Sequence, residues 1–424
     1  MRTLLLSILI ALMIPGQASA QEMRTAGGRV LDEASGNGLQ FVQIALGRSG
    51  IGTVSNEDGQ FMLLIPPAFA ADSLFFSCLG YGLGAVPVKD LWGRENVIRL
   101  KPKEILLREV EVISLSPEEV LRRAFDSISS NYGRDSVLLT AFYRSRKYHG
   151  RDLAEYAEAV IEDLKTGYLT QHSARDSRRT KEVSNLTMLV KGRVVSDTAR
   201  VNSMGEVGQL AGCLGCIFSH DPAESNFGSI LDRDIYQDYA LKMEELANPS
   251  GGKIYHLYYE QKSEDIKGFK GEIFIDGSSF ALMRITQKPS FKAYSKFEKD
   301  KYKRTYTIGG IPGWIAEMPL LNRNITYDKR DGLWNLGTVQ EEQWVTFTHP
   351  ATGKKLRMGY KNELVVTGVA RDPAVIRDFR GEKKTGSDLR WDQLAGSGDE
   401  AFWMNFNYLP LEESLKNAIT QIGK

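Results

Sequence analysis

Cysteine, histidine and long apolar runs are all scarce in this chain of 424 residues, and each shortage removes a class of explanation. Three cysteines are too few for the disulfide framework of a small secreted scaffold. The five histidines, His149, His172, His220, His256 and His349, are scattered along the chain. His220 and Glu224 stand four apart, as do His256 and Glu260, and neither pair makes the helical signature of a zinc hydrolase. No G-x-S-x-G nucleophile elbow occurs. Paired carboxylates for glycoside chemistry have no sequence spacing of their own, because the fold sets their separation. Neither sign of charge dominates: 54 Lys and Arg face 53 Asp and Glu, so nothing global points to nucleic acid or anionic lipid as a partner. No cofactor and no metal is implied by any motif. Beyond Leu4–Ile14 there is no long apolar run, so no transmembrane segment is expected in the mature chain, and any outer-membrane association would be peripheral.

What the chain does have begins with a leader. Met1-Arg2-Thr3 is a charged opening, Leu4–Ile14 is apolar but short for a bilayer span, and Ala18-Ser19-Ala20 fits a small-residue cleavage site. Residues 1–20 read as a signal peptide, with Gln21 first in the mature protein and no cysteine after it to carry a lipid. The expected location is the periplasm or the cell surface.

From Gly28 to Pro66 short alternating runs are divided by turn residues. Val30 alternates with Arg29 and Leu31; Val42, Ile44 and Leu46 alternate with Phe41, Gln43 and Ala45; Phe61, Leu63 and Ile65 share a face. Asn37-Gly38 and Asn56-Glu57-Asp58-Gly59 supply the reversals, since Asn, Asp and Gly tolerate positive φ. Pro66-Pro67 ends the last run. The string Gly28-x-Val30-x-Asp32, then Gly38-Leu39-x-Phe41-Val42-x-Ile44-x-Leu46, then Gly52-Thr53-x-Ser55-Asn56-x-Asp58-Gly59-x-Phe61, resembles the carboxypeptidase-regulatory-like domain. Ser77-Cys78-Leu79-Gly80-Tyr81 and the tail Leu106–Val112 extend the match. The resemblance implies a transthyretin-like antiparallel β-sandwich over residues 21–113. It also implies an accessory module without peptidase chemistry, of a kind common at the front of envelope proteins in Gram-negative bacteria.

Ser116-Pro117-Glu118-Glu119 combines an N-cap serine, proline in the first turn and glutamate three residues after the cap. Val120, Leu121, Ala124, Phe125 and Ile128 then fall on one face. This predicts a packing helix within a connector, residues 114–135. Residues 136–424 are expected to form an α+β domain with a curved antiparallel sheet. Leu138–Tyr143 and Tyr156–Leu164 are candidate strands, or a strand and a short helix. Gly271–Ile275 and Phe280–Thr286 flank Asp276-Gly277-Ser278-Ser279, a hairpin signal. Trp314–Met318, Asn324–Asp328 and Glu341–Thr348 continue a meander. Pro410-Leu411-Glu412-Glu413 opens a last helix with Leu415, Ala418, Ile419 and Ile422 on one face.

The segment GFKGEIFIDGSSFALMRI resembles the strand pairs of periplasmic lipoprotein-carrier-like half-barrels. That likeness implies a concave face able to shelter an apolar ligand, with Tyr258, Phe274, Phe280, Trp314 and Trp344 as liners; the plainer reading makes these aromatics core. Lys288–Arg304 interleaves lysines with Tyr294, Phe297 and Tyr302, a pattern found in single-strand nucleic acid binders. A lysine-protected edge strand accounts for the same residues, and nucleic acid is not an expected partner. The basic stretch Gly167–Arg200 lacks an adjacent phosphate cradle and reads as a solvated face.

Cys213-Leu214-Gly215-Cys216 is a C-x-x-C pair followed by Ile217. Haem attachment needs histidine there, and a zinc site needs ligands that no second Cys pair supplies. A local disulfide, or a thiol oxidoreductase site at Cys213 and Cys216, remains. Together these readings describe a non-catalytic exported envelope protein that binds another envelope component, protein or glycan. The alternatives are a carrier or sensor of an apolar ligand and a thiol-disulfide oxidoreductase.

Overall fold

The computed structural model describes residues 23–47, 49–103, 115–165, 167–168, 186–205, 217–218, 221–224, 238–248, 251–262, 269–289, 315–316, 320–349, 351–379 and 400–422. The leader, the Leu106–Val112 tail, Cys213 and Cys216, the Tyr294–Arg304 stretch, Trp314 and the Gly381–Gly398 segment lie outside the described residues.

Strands β1 (Arg24–Asp32), β4 (Gln60–Ile65) and β7 (Asn96–Leu100) form one small sheet, in the order β4-β1-β7. Strands β2 (Gln43–Leu46), β3 (Gly52–Val54), β5 (Ser73–Ser77) and β6 (Gly84–Pro87) form the other, in the order β3-β2-β5-β6. The inward residues of the alternating runs meet between them: Val30, Ile44, Leu46, Phe61, Leu63 and Phe76 are all buried in one core. Phe61 and Phe76 pack edge to face with ring centroids 5.4 Å apart. At the reversal before β4 the Asn56 side-chain oxygen accepts from the N–H of Asp58 and of Gln60, at 3.0 and 2.8 Å. Gly59 closes this turn at φ 79°, where a side chain would be strained.

Two details differ from the expected sandwich. β7 runs parallel to β1: the chain reaches it only after returning to β4 on the other side of β1 and crossing over through β5 and β6 of the second sheet, and a parallel pair needs such a crossover. Phe41 lies outside β2, in a turn at φ 57°. The Ser55 hydroxyl explains this: it donates to Leu39 O at 2.6 Å and accepts from Val42 N–H at 3.0 Å, folding the chain back at Phe41 before pairing starts.

Helix α1 (Pro117–Asp126) starts as its sequence predicts, with the Ser116 hydroxyl accepting from Glu119 N–H at 3.2 Å. A second short helix, α2 (Ile128–Tyr132), stops at Gly133, whose φ is 90°. Both lie on a broad open sheet built from β8 (Val137–His149), β9 (Asp152–Lys165), β10 (Leu186–Ser196), β11 (Tyr239–Ala247), β12 (Lys253–Gln261), β13 (Phe269–Asp276), β14 (Leu282–Pro289), β16 (Leu320–Arg330), β17 (Leu333–Thr348) and β18 (Lys355–Ala370). The two-residue strand β15 (Ile315–Ala316) pairs with β17. The order is β10-β9-β8-β18-β17-β16-β14-β13-β12-β11, antiparallel at each step. No described pairing joins β10 to β11, so the sheet is not closed. Residues 137–149 and 152–165 are both long strands, which resolves the strand-or-helix alternative in favour of strands.

Alternation gives this sheet two different faces. One face carries Ile161, Tyr255, Leu257, Ile273, Ile325 and Leu364, and packs against Val120, Leu121, Phe125 and Ile128 of the two helices. Its inward space is therefore filled by side chains. The opposite face carries Arg144, Glu158, Tyr258, Arg284, Asn324 and Lys361. The sandwich and the C-terminal segment, with α3 (Glu400–Trp403) and α4 (Glu413–Ile422), lie against that face.

Candidate functional site

The sandwich docks through its β2–β3 end. Gln43 Nε2 donates to Tyr327 O at 3.0 Å, Val369 N–H donates to Gly50 O at 2.9 Å, and Arg330 Nη1 reaches the same Gly50 oxygen at 3.2 Å. Val54 joins Phe142, Val160 and Val365 of the sheet, with Trp403 and Leu409 of the C-terminal segment, in one buried cluster. The C-terminal segment spans the joint. Asn407 Oδ1 accepts from Leu64 N–H on β4 at 2.6 Å, and Pro410 O accepts from Asn56 Nδ2 at 3.1 Å. On its other side Arg144, fully buried, donates to Leu409 O and pairs with Glu158 at 3.0 Å and Glu412 at 3.5 Å. Arg193 and Tyr156 also bond Glu158, so every charge in this buried group has a counterpart.

Two grooves flank the joint. The first, with a volume of about 1060 Å³, has the sheet as its floor and Phe41 and Glu57 of the sandwich at its rim. Its floor is a ladder of mutually paired charges: Arg323 with Glu341 at 2.6 Å, Arg146 with Glu363 at 2.9 Å, and Lys361 with Glu342 at 3.4 Å. Arg284 Nε donates to Asn324 Oδ1 at 2.8 Å, and Asn324 Nδ2 donates in turn to Gln340 at 2.8 Å. The second groove, about 1160 Å³, separates the outer face of the β2–β5 pair from β14 and β16. Phe41, Arg284 and Asn324 line both grooves, so the two form one surface around the turn that holds Phe41. A phenylalanine at φ 57° is an unfavourable backbone state, and such states persist where surrounding bonds over-determine them.

A second buried charge cluster lies on the helix-covered face. Lys165 Nζ pairs with Asp221 at 3.0 Å and with Glu224, while Tyr168 and Tyr327 donate to Asp221 at 3.0 and 2.8 Å. Burial works against the Lys165 charge, but Asp221 and Glu224 overrule it and hold the ammonium well above its usual range. Burial pushes the carboxyl of neighbouring Asp163 up to about 7, against the pull of Lys165. Neither groove is lined by Lys165, Asp163, Asp221 or Glu224, so this cluster has no opening to a substrate there. It pins the 221–224 turn to the sheet. Among the described residues no group of three His, Cys, Asp or Glu is placed to hold a metal ion. No helix among them is long and apolar enough to cross a membrane.

The aromatics singled out by sequence are dispersed. Tyr258, 37 % exposed, lines the first groove. Phe274 is buried on the same face, stacked on His256 with centroids 4.0 Å apart. Trp344 leans on Tyr148 at 5.4 Å with Arg357 over its ring. Phe280 sits in the turn after β13 and stacks on Tyr255, against the helix-covered core. Trp314, Cys213 and Cys216 lie outside the described residues. Arg284 and Asn324, where the two grooves meet, carry no sequence motif, and Phe41 belongs to the family string as a strand position and not as a groove residue. The one available signal was Ser55, whose hydroxyl makes the turn at Phe41.

Residues 26–112 match the family model of the CarboxypepD_reg-like domain. The sandwich is a CarboxypepD_reg-like domain. The match covers the module alone; the CarboxypepD_reg-like domain gives Phe41 and Glu57 to the first groove, and β2, β5 and their flanking loops to one wall of the second. No curated protein matches the chain. Among solved structures, a domain of Vibrio parahaemolyticus ascribed to outer membrane lipoprotein sorting aligns at 12 % identity, over 61 % of this chain and 94 % of its own, with a TM-score of 0.26. A LolA superfamily protein from Nitrosomonas europaea aligns at 10 % identity, over 62 % and 97 %, with a TM-score of 0.23. The MucA/MucB complex of Pseudomonas aeruginosa aligns at 10 % identity, over 59 % and 97 %, with a TM-score of 0.19. Likenesses of this size carry no functional argument.

Proposed function

We propose that this chain is an exported, non-catalytic binding protein that recognises another envelope component, protein or glycan, on the surface formed where the CarboxypepD_reg-like domain meets the large sheet. The observation that carries this reading is the composition of the joint. The charged side chains on its floor face one another in pairs, with Arg323 on Glu341, Arg146 on Glu363 and Lys361 on Glu342, and among the described residues of these pairs none stands as a nucleophile beside a base. Paired groups of this sort fix a surface in one shape and leave amides, hydroxyls and aromatic rings to make the contacts. The leader-like stretch Leu4–Ala20 supports export.

The test is retention of envelope material on the immobilised full-length protein, compared with its Arg284→Glu variant. Arg284 lines both grooves and is half-buried, so the reversal disturbs both at once. Binding at the joint predicts that one or more components held by the native chain are lost from the variant. Identical retention by the two proteins contradicts it.

A further inference from the structure

We propose that the second groove is a binding site for a neutral oligosaccharide, with the ring of Phe75 as its platform; this rests on reading the chain as a binding protein and names the class of ligand.

Phe75 stands on β5 between Leu74 and Phe76, which are fully buried in the sandwich, and is itself 37 % exposed on the groove side. Its cross-strand neighbours are Ala45 on β2 and Ala85 on β6, and its neighbours along the strand face are Ser73 and Ser77. Small side chains on all four sides leave the ring uncovered. Gln43, opposite Ser77, reaches Tyr327 O with its Nε2, which turns its amide towards the other wall. That wall offers Asn324, Thr326 and Trp334.

The charges of the groove are engaged or balanced. Asp328 is held by Arg330 at 2.6 Å, Asp276 accepts from Ser278 and Ser279, and Arg284 donates to Asn324. Asp72 and Lys329 contribute one charge of each sign. A charged ligand would find no surplus of opposite charge. An acyl chain would lie across Ser73, Ser77 and Gln43, whose polar atoms it would strip of water. An extended peptide adding itself as a strand needs a free edge, yet β2, β5, β14 and β16 are each paired on both sides. A pyranose ring meets the wall as it stands: its C–H face lies on an aromatic ring, and its hydroxyls exchange hydrogen bonds with amides and hydroxyls. A volume of about 1160 Å³ takes several such rings.

The experiment is calorimetric titration of the full chain with cellohexaose, maltohexaose, xylohexaose and chitohexaose. At least one should bind saturably. Phe75→Ala should weaken that binding at least tenfold, Phe75→Trp should preserve it, and Lys416→Ala on the last helix, which lines neither groove, should leave it unchanged. Ala85→Trp covers the platform without removing it and should weaken binding as Phe75→Ala does, which guards against a folding defect in either variant. No saturable binding by any of the four sugars up to about 10 mM, or binding indifferent to both Phe75→Ala and Ala85→Trp, overturns the proposal. If no sugar binds while Arg284→Glu still loses envelope material, the oligosaccharide assignment falls and the binding reading stands.

Discussion

The N–H of Val369 on β18 donates to the carbonyl of Gly50 on the β2–β3 turn, and a Cβ on Gly50 would lie 2.1 Å from the Val369 oxygen. The sandwich can approach the large sheet this closely only because residue 50 has no side chain. Gly50→Val should push the two apart at a cost of about 1–3 kcal/mol, the range for overpacking a close contact. Small-angle scattering should report a larger radius of gyration, and calorimetry should split one unfolding transition into two. An unchanged radius with one transition would show that this contact does not set the joint.

Arg144 should prove the anchor of the C-terminal segment. Replacing it by methionine leaves Glu158 and Glu412 buried with too little positive charge, a situation that costs about 3–5 kcal/mol. Protease digestion should then begin within residues 400–422 before the sheet is attacked. The double variant Arg144→Met with Glu158→Met removes both members of the Arg144–Glu158 pair and should recover part of the loss. Urea denaturation of the three proteins checks the order.

Asp163 should make stability fall as pH rises towards neutrality. Its folded value of about 7 exceeds the ordinary 3.8, so between these limits the native state binds more protons than the unfolded state. Stability contributed by the protonated acid is complete below about pH 4 and is lost progressively up to about pH 7, with an upper bound of roughly 4 kcal/mol. Asp163→Asn keeps an acceptor for the Thr187 hydroxyl, 2.7 Å away in the native chain, and stays neutral. Thermal melts from pH 4 to pH 8 should show a smaller decline for the variant than for the native protein.

The sandwich is legible in sequence because its turns are written in Asn, Asp and Gly: Asn56, Asp58 and Gly59 close a reversal, and the alternation on either side leaves one register that buries Phe61, Leu63 and Ile65. The cap at Ser116 and the hairpin at Asp276-Gly277 are legible for the same reason. The joint is not. Gly50 reads as an ordinary turn glycine until Val369, more than three hundred residues later, is placed against it. Arg144 and Glu158 read as surface charges in alternating strands, and only the return of Leu409 and Pro410 over them makes them buried. Aromatic residues misdirect for a related reason: Tyr258 and Phe274 share a sheet face with the grooves, whereas Phe280 follows a turn that sends it to the helix-covered side. Periodicity assigns faces within a strand but says nothing of what covers each face.

The most direct test of a binding surface at the joint is site-specific photo-crosslinking in intact cells, with a photoreactive phenylalanine analogue at Tyr258 on the first groove and, as control, at Met404, which is 68 % exposed on the C-terminal segment. The account predicts a discrete adduct from position 258 that is absent from position 404 and is lost when Arg284→Glu is added. Adducts of equal yield from both positions, or none from position 258, would contradict it.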